Sequence, residues 1–123
     1  MYTLDTNAIL YYLKDDAAAV SVLRGVFAEN VPVYVSAITE LELYAFPNIS
    51  PDEESLIEDL LATISVIPLD SHIARLAALC AKTLTTQSTR QCDCRHRNVY
   101  RQYLLTRNTR DFRKIPSLTV LKV

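Results

Sequence analysis

Met1-Tyr2-Thr3-Leu4-Asp5-Thr6-Asn7-Ala8-Ile9-Leu10 opens the chain. Its first four residues form a short, mainly apolar run that halts at Asp5. Asp and Asn carry side-chain oxygens that accept from the unpartnered N–H groups at the start of a helix. The apolar run from Ala8 to Leu13 then supplies the helix itself. The stretch therefore predicts a buried strand feeding straight into a helix. That is the repeating unit of a parallel sheet, whose neighbouring strands need a crossover between them.

The same unit recurs outward from this point. Pro32-Val33-Tyr34-Val35-Ser36 reads as a buried strand, and Ile38–Tyr44 as the helix after it. Ile64–Leu69 reads as a third strand, with Asp70 or Ser71 capping a helix that carries Ile73, Leu76, Ala77 and Leu79. Tyr103–Thr106 and Leu118–Leu121 supply the fourth and fifth strands, with a short turn or helix over Arg110–Ile115. Two further helices lie between. One is capped by Asp15 or Asp16 and spaces Val20, Leu23, Val26 and Phe27 at helical intervals. The other starts at Ser50-Pro51-Asp52-Glu53, which offers a serine cap, proline in the first turn and Glu three residues on. Alternating strands and helices give an α/β fold with a mainly parallel sheet of about five strands flanked by helices.

Half of the 123 residues are hydrophobic and 22% are charged, which suits one domain, residues 1–123, with a substantial core. A single glycine (Gly25) and five prolines exclude collagen-like and low-complexity character. No run approaches the ~20 apolar residues of a spanning helix, and no basic segment precedes Asp5 as a secretory signal requires. A cytoplasmic protein with no membrane association is expected. Three cysteines make no disulfide framework. The one-residue spacing of Cys92-Asp93-Cys94 is also too tight for a zinc pair.

The net charge of −1 hides a division. Residues 1–79 hold three basic residues against twelve acids, a net −9, while residues 80–123 hold ten against two, a net +8. Such asymmetry fits either a polyanion handled where the halves meet or two solvated faces that attract on folding.

In open α/β sheets, ligands bind beyond the carboxyl ends of the strands. Asp5, Thr6 and Asn7 stand at the end of the first strand, and Glu42 on the helix after the second. Thr106, Asn108 and Asp111 stand at or just after the end of the fourth. Taken singly, Asp5 and Asn7 could be plain caps, Glu42 a solvated helix residue, and Arg107, Arg110 and Arg113 surface charge. Together they bring oxygen ligands to one sheet edge. Clustered carboxylates need a cation or a proton, and hard oxygen ligands select Mg²⁺ or Mn²⁺ over zinc. A receiver-type phosphoacceptor at Asp70 fits poorly, because Asp5 has no acidic neighbour and no lysine stands at a late strand end.

At these residues the sequence resembles a known family. Leu4-Asp5-Thr6-Asn7, Ser36-Ala37-Ile38-Thr39-Glu40-Leu41-Glu42-Leu43 and Leu105-Thr106-Arg107-Asn108-Thr109-Arg110-Asp111-Phe112 look like the landmark motifs of PIN-domain proteins. Within that family they look like the VapC type, the ribonuclease toxin of a toxin–antitoxin pair. The resemblance implies a PIN-like three-layer fold and Mg²⁺-dependent cleavage of RNA. It implies Asp5 and Glu42 as catalytic, metal-binding acids, with Asp111 a further catalytic candidate. Arg107, Arg110 and Arg113 would then hold the RNA backbone, with Thr6, Asn7, Thr106 and Asn108 as polar groups at the site edge. The expected partners are RNA, an antitoxin whose C-terminal segment covers the acidic groove, and a second copy of the chain. The other functional reading is a PIN domain that has lost cleavage and keeps only partner binding.

Residues 81–102 break the pattern. The fold calls for a buried helix there, yet the strongly apolar residues are only Leu84, Val99 and two cysteines. The family carries a third acid in a Pro-Asp-(small)-Ile-(Ile/Val)-Ala-Ala-Thr-Ala pattern, which this chain lacks. Asp93 is the one acid in the segment and, in a helix, lies about a turn from the expected ligand position. A segment of this composition is expected to pack worst in the domain.

A shifted reading frame accounts for the anomaly. Back-translated with AGC for serine and CGN for arginine, Ser88–Gln102 read one nucleotide later permits Ala-Pro-Asp-(Ser/Asn)-(Ala/Val)-Ile-(Ala/Val)-Ala-Thr-Ala-Met-Tyr-Thr-Asp. That is the apolar helix the fold requires, and it carries the missing acid. The expected outcome is a coding sequence with two compensating indels, near Leu79–Thr86 and Gln102–Leu104. Sequencing the coding DNA checks this, and codons unable to spell Pro-Asp and Ala-Thr-Ala in the shifted frame refute it.

Overall fold

The computed structural model describes residues 1–75, 78, 103–112 and 119–123. The elements run β1 (Tyr2–Leu4), α1 (Thr6–Leu13), α2 (Ala17–Ala28), β2 (Val33–Ser36), α3 (Ala37–Tyr44), α4 (Pro51–Thr63), β3 (Ser65–Ile67), β4 (Tyr103–Thr106), α5 (Thr109–Phe112) and β5 (Thr119–Lys122). All four strand pairings are parallel, in the order β3-β2-β1-β4-β5. The chain builds outward from β1 to β2 and β3. It then returns to the other side of β1 for β4 and β5. The order thus reverses at β1, and the carboxyl ends of β1 and β4 flank the point of reversal.

Leu4 lies opposite Leu105 on one face, and Thr3 opposite Leu104 on the other. All four are fully buried, so both faces are covered, as an all-parallel sheet requires. Leu4, Val35 and Leu105 pack with Ile9, Leu23 and Ile57 in the main core. The edges are short and more open. β3 spans three residues because Pro68 has no N–H for the ladder.

Local chemistry sets the element ends. Asp16, rather than Asp15, caps α2, accepting from the Ala19 N–H at 3.1 Å. Asp15 instead takes the left-handed turn after α1, with φ 56°, a conformation that Asp tolerates better than most residues. Asp70 accepts from the Ile73 N–H at 2.8 Å. It therefore caps the helical turn that follows, and of the two expected caps, Asp70 and Ser71, it is Asp70 that does so. Arg113, the three cysteines and Asp93 lie outside the described residues, as does the expectation about packing over 80–102.

The start of α4 holds the full capping box. Ser50 Oγ accepts from the Glu53 N–H at 3.2 Å, and Glu53 Oε2 accepts from the Ser50 N–H at 2.9 Å. Ile57 and Leu60 on this helix are core residues, so fraying at its start is transmitted to the interior. Ser50→Ala is expected to destabilise the protein by about 0.5–2 kcal/mol, read from the urea denaturation midpoint.

Candidate functional site

Asp5 ends β1 and caps α1, and only 6% of its surface is exposed. Its backbone N–H donates to the Leu105 carbonyl at 3.1 Å, which ties it to β4. One carboxylate oxygen accepts from the Thr6 N–H at 2.9 Å. The other accepts from the Thr106 hydroxyl at 2.7 Å. Both donors are neutral, so these two contacts orient Asp5 through dipoles. Two carboxylate oxygens offer about four lone-pair positions, and further donors or a cation can still approach.

Glu42 reaches the same edge from α3. It is exposed, yet the Thr6 hydroxyl donates to its Oε2 in a short hydrogen bond. Thr6 therefore joins the two acids, with its N–H on Asp5 and its hydroxyl on Glu42. On the β4 side, Thr106 Oγ1 accepts from the Asn108 N–H at 3.0 Å while donating to Asp5. The Asn108 side-chain amide donates to Asp111 Oδ2 at 3.0 Å. One hydrogen-bonded chain thus runs Glu42–Thr6–Asp5–Thr106–Asn108–Asp111 across the point of strand-order reversal. Asn7 is half-buried on α1 beside it.

The donor set is all oxygen apart from the Asn108 amide. Such a set suits a small hard cation, which is commonly held by one or two carboxylates and water. Asp5 and Glu42 are the two acids joined through a single residue, Thr6. Among the described residues no three His, Cys, Asp or Glu side chains close on one point.

Arg107 is placed differently from its neighbours. Its guanidinium meets Asp16 with both ends of the fork, at 2.5 and 3.2 Å, and its Nε donates to the Val123 main-chain oxygen at 3.1 Å. It also stacks over the Tyr11 ring, 3.7 Å from the centroid. The Arg107 hydrogen bond, followed by that from the Ala19 N–H, holds the Asp16 carboxyl below its ordinary range. A lowered folded-state value means this pair stabilises the fold above the ordinary Asp range. Its contribution is lost as pH falls through the depressed value. Sequence reading made Asp16 a cap and placed Arg107 among the RNA-backbone contacts; its guanidinium is instead engaged inside the protein, and no spacing rule connects residues so far apart in the chain. Arg110 is exposed on α5.

The PIN domain family model matches residues 2–116. The chain belongs to the PIN domain family. No curated protein matches it significantly. Among solved structures it is similar to a chain of VapBC2 from Rickettsia felis, in complex with a DNA fragment from their promoter. The TM-score is 0.81 with 20% identity, covering 99% of this chain and 98% of that one. A chain of DNA-bound VapBC from Salmonella typhimurium gives a TM-score of 0.82 with 22% identity, covering 98% and 96%. A chain of FitAcB from Neisseria gonorrhoeae gives 0.72 with 25% identity, covering 98% and 96%. These likenesses agree with the five-stranded parallel sheet and its flanking helices. No helix among the described residues is long and apolar enough to cross a membrane.

Thr106→Val keeps the shape of the side chain and removes its hydroxyl. Asp5 then loses a donor in a buried setting, and the Asn108 N–H an acceptor in a part-buried one. The expected cost is about 1–3 kcal/mol, read from the urea midpoint of the variant against the parent.

Proposed function

We propose that this PIN domain is a VapC-type toxin, a Mg²⁺-dependent endoribonuclease controlled by an antitoxin. The observation that carries the reading is the joining of Asp5 and Glu42 through Thr6 at the sheet's reversal point. Asp5 and Glu42 would hold Mg²⁺, with Mn²⁺ an alternative, and Asp93 is the further candidate ligand. When bound, such an ion lowers the pKa of water and offsets charge on a phosphoryl oxygen. Asp5 is pre-oriented for that role by Thr6 and Thr106. Asn108 keeps Asp111 turned toward the same edge. Arg110 and Arg113 would contact the RNA backbone, which makes binding salt-dependent. Arg107 is left out of that set, because its donors already face Asp16 and Val123.

An antitoxin partner is supported by the kind of assembly its structural neighbours form. It is also supported by an apolar cavity of about 200 Å³ between α1, α4 and the loop joining α3 to α4, lined by Leu10, Leu13, Phe46, Ile49 and Ile57. A homodimer is proposed on the same family grounds, and Leu41, exposed at 62% on α3, is a candidate contact for it. The second reading, a PIN domain that keeps partner binding and has lost cleavage, is favoured by one observation: no third acid joins Asp5 and Glu42 among the described residues.

The test is cleavage of an RNA pool in Mg²⁺, with calorimetric titration of Mg²⁺ alongside. Asp5→Asn and Glu42→Gln are each expected to reduce cleavage to background while the circular dichroism spectrum is unchanged. Equal cleavage by parent and Asp5→Asn overturns the site. Absence of both cleavage and saturable Mg²⁺ binding supports the second reading, and restoring the reading frame of residues 80–102 should then bring cleavage back.

A further inference from the structure

Arg107 stands between the two residues that complete the β4 half of the acidic chain. Thr106 precedes it and bonds to Asp5; Asn108 follows it and bonds to Asp111. The side chain between them is held by three separate elements. Asp16 at the start of α2 takes both ends of the fork, Tyr11 on α1 carries the flat face, and Val123 after β5 accepts from Nε. Asp16 is itself fixed, because its N–H donates to the Tyr11 carbonyl at 3.0 Å and its carboxylate caps α2. The anchor is thus a rigid corner rather than a mobile surface acid.

We infer that Arg107 is a positioning residue: its fork on Asp16 and its stacking on Tyr11 fix the β4–α5 turn, and so set where Thr106 and Asn108 present their donors to Asp5 and Asp111. This rests on the reading of those acids as the functional site. A rotation of the turn would move the Thr106 hydroxyl and the Asn108 N–H together, since one accepts from the other. Lysine cannot replace arginine here. An ammonium offers no planar fork for two carboxylate oxygens and no flat face for the ring.

The test compares Arg107→Lys and Asp16→Asn with Ser50→Ala as a stability control remote from the site. Asparagine keeps the α2 cap while removing the charge that Arg107 meets, so this variant is the gentler of the two. Two readouts are taken: the Mg²⁺ dissociation constant by calorimetry, and the Asn108 side-chain amide signals by NMR without metal. Both site variants are expected to shift the Asn108 signals and to weaken Mg²⁺ binding about tenfold, the scale of supporting residues around a metal site. Ser50→Ala is expected to change neither readout. Unchanged Asn108 signals in both site variants overturn the inference, as does an equal shift in Ser50→Ala. If the parent binds no Mg²⁺ while the Asn108 signals still move only in the site variants, the positioning role stands and the metal-site reading falls.

Discussion

The hydrogen bond from Thr106 to Asp5 is the contact on which the site depends. It joins the carboxyl ends of β1 and β4, the two strands that flank the reversal of strand order. In open α/β sheets such a reversal is where ligands bind, beyond the carboxyl ends of the strands. An acid placed there is buried enough to be oriented and open enough to be reached. Asp5 meets both conditions because its donors are a backbone N–H and a hydroxyl rather than a cation.

The rest of the architecture serves this placement. β1 is the middle strand, paired on both sides, and its Leu4 is fully buried, so Asp5 follows directly from a strand held by two neighbours. Glu42 comes from a helix that follows β2 without a loop, Ser36 ending the strand and capping the helix at once. The result is an acid pair whose spacing is fixed by strand register and helix caps, not by loops. That is the arrangement expected when side chains must hold a reactive group in one geometry.

Much of this was legible in the chain. Caps are local: Asp5, Asp16, Ser50 and Asp70 announce their helices within a few residues, and the alternation of apolar strands with amphipathic helices dictates a parallel sheet. The convergence of Asp5, Glu42, Asn108 and Asp111 followed from topology, because strand ends of a parallel sheet share one edge. What was not legible depends on side-chain direction across long separations. Thr6 reads as a helix-entry hydroxyl until α3 brings Glu42 to it. Arg107 reads as an RNA-backbone contact until the folded chain brings its guanidinium to Asp16. A strand shows which residues alternate, but not which distant partner waits on each side.

The separation between Asp5 and Thr106 also bears on when the molecule becomes competent. The residues are 101 positions apart, and β4 adds to β1 only after nearly the whole chain exists. A nascent chain on the ribosome can form β1, its helices and their local packing early, since those contacts lie close in sequence, whereas long-range parallel pairing is slow. The hydrogen-bonded acidic chain is therefore completed only once β4 has been made. A chain stalled before β4 carries Asp5 and Glu42 but not the Thr106 hydroxyl that orients Asp5.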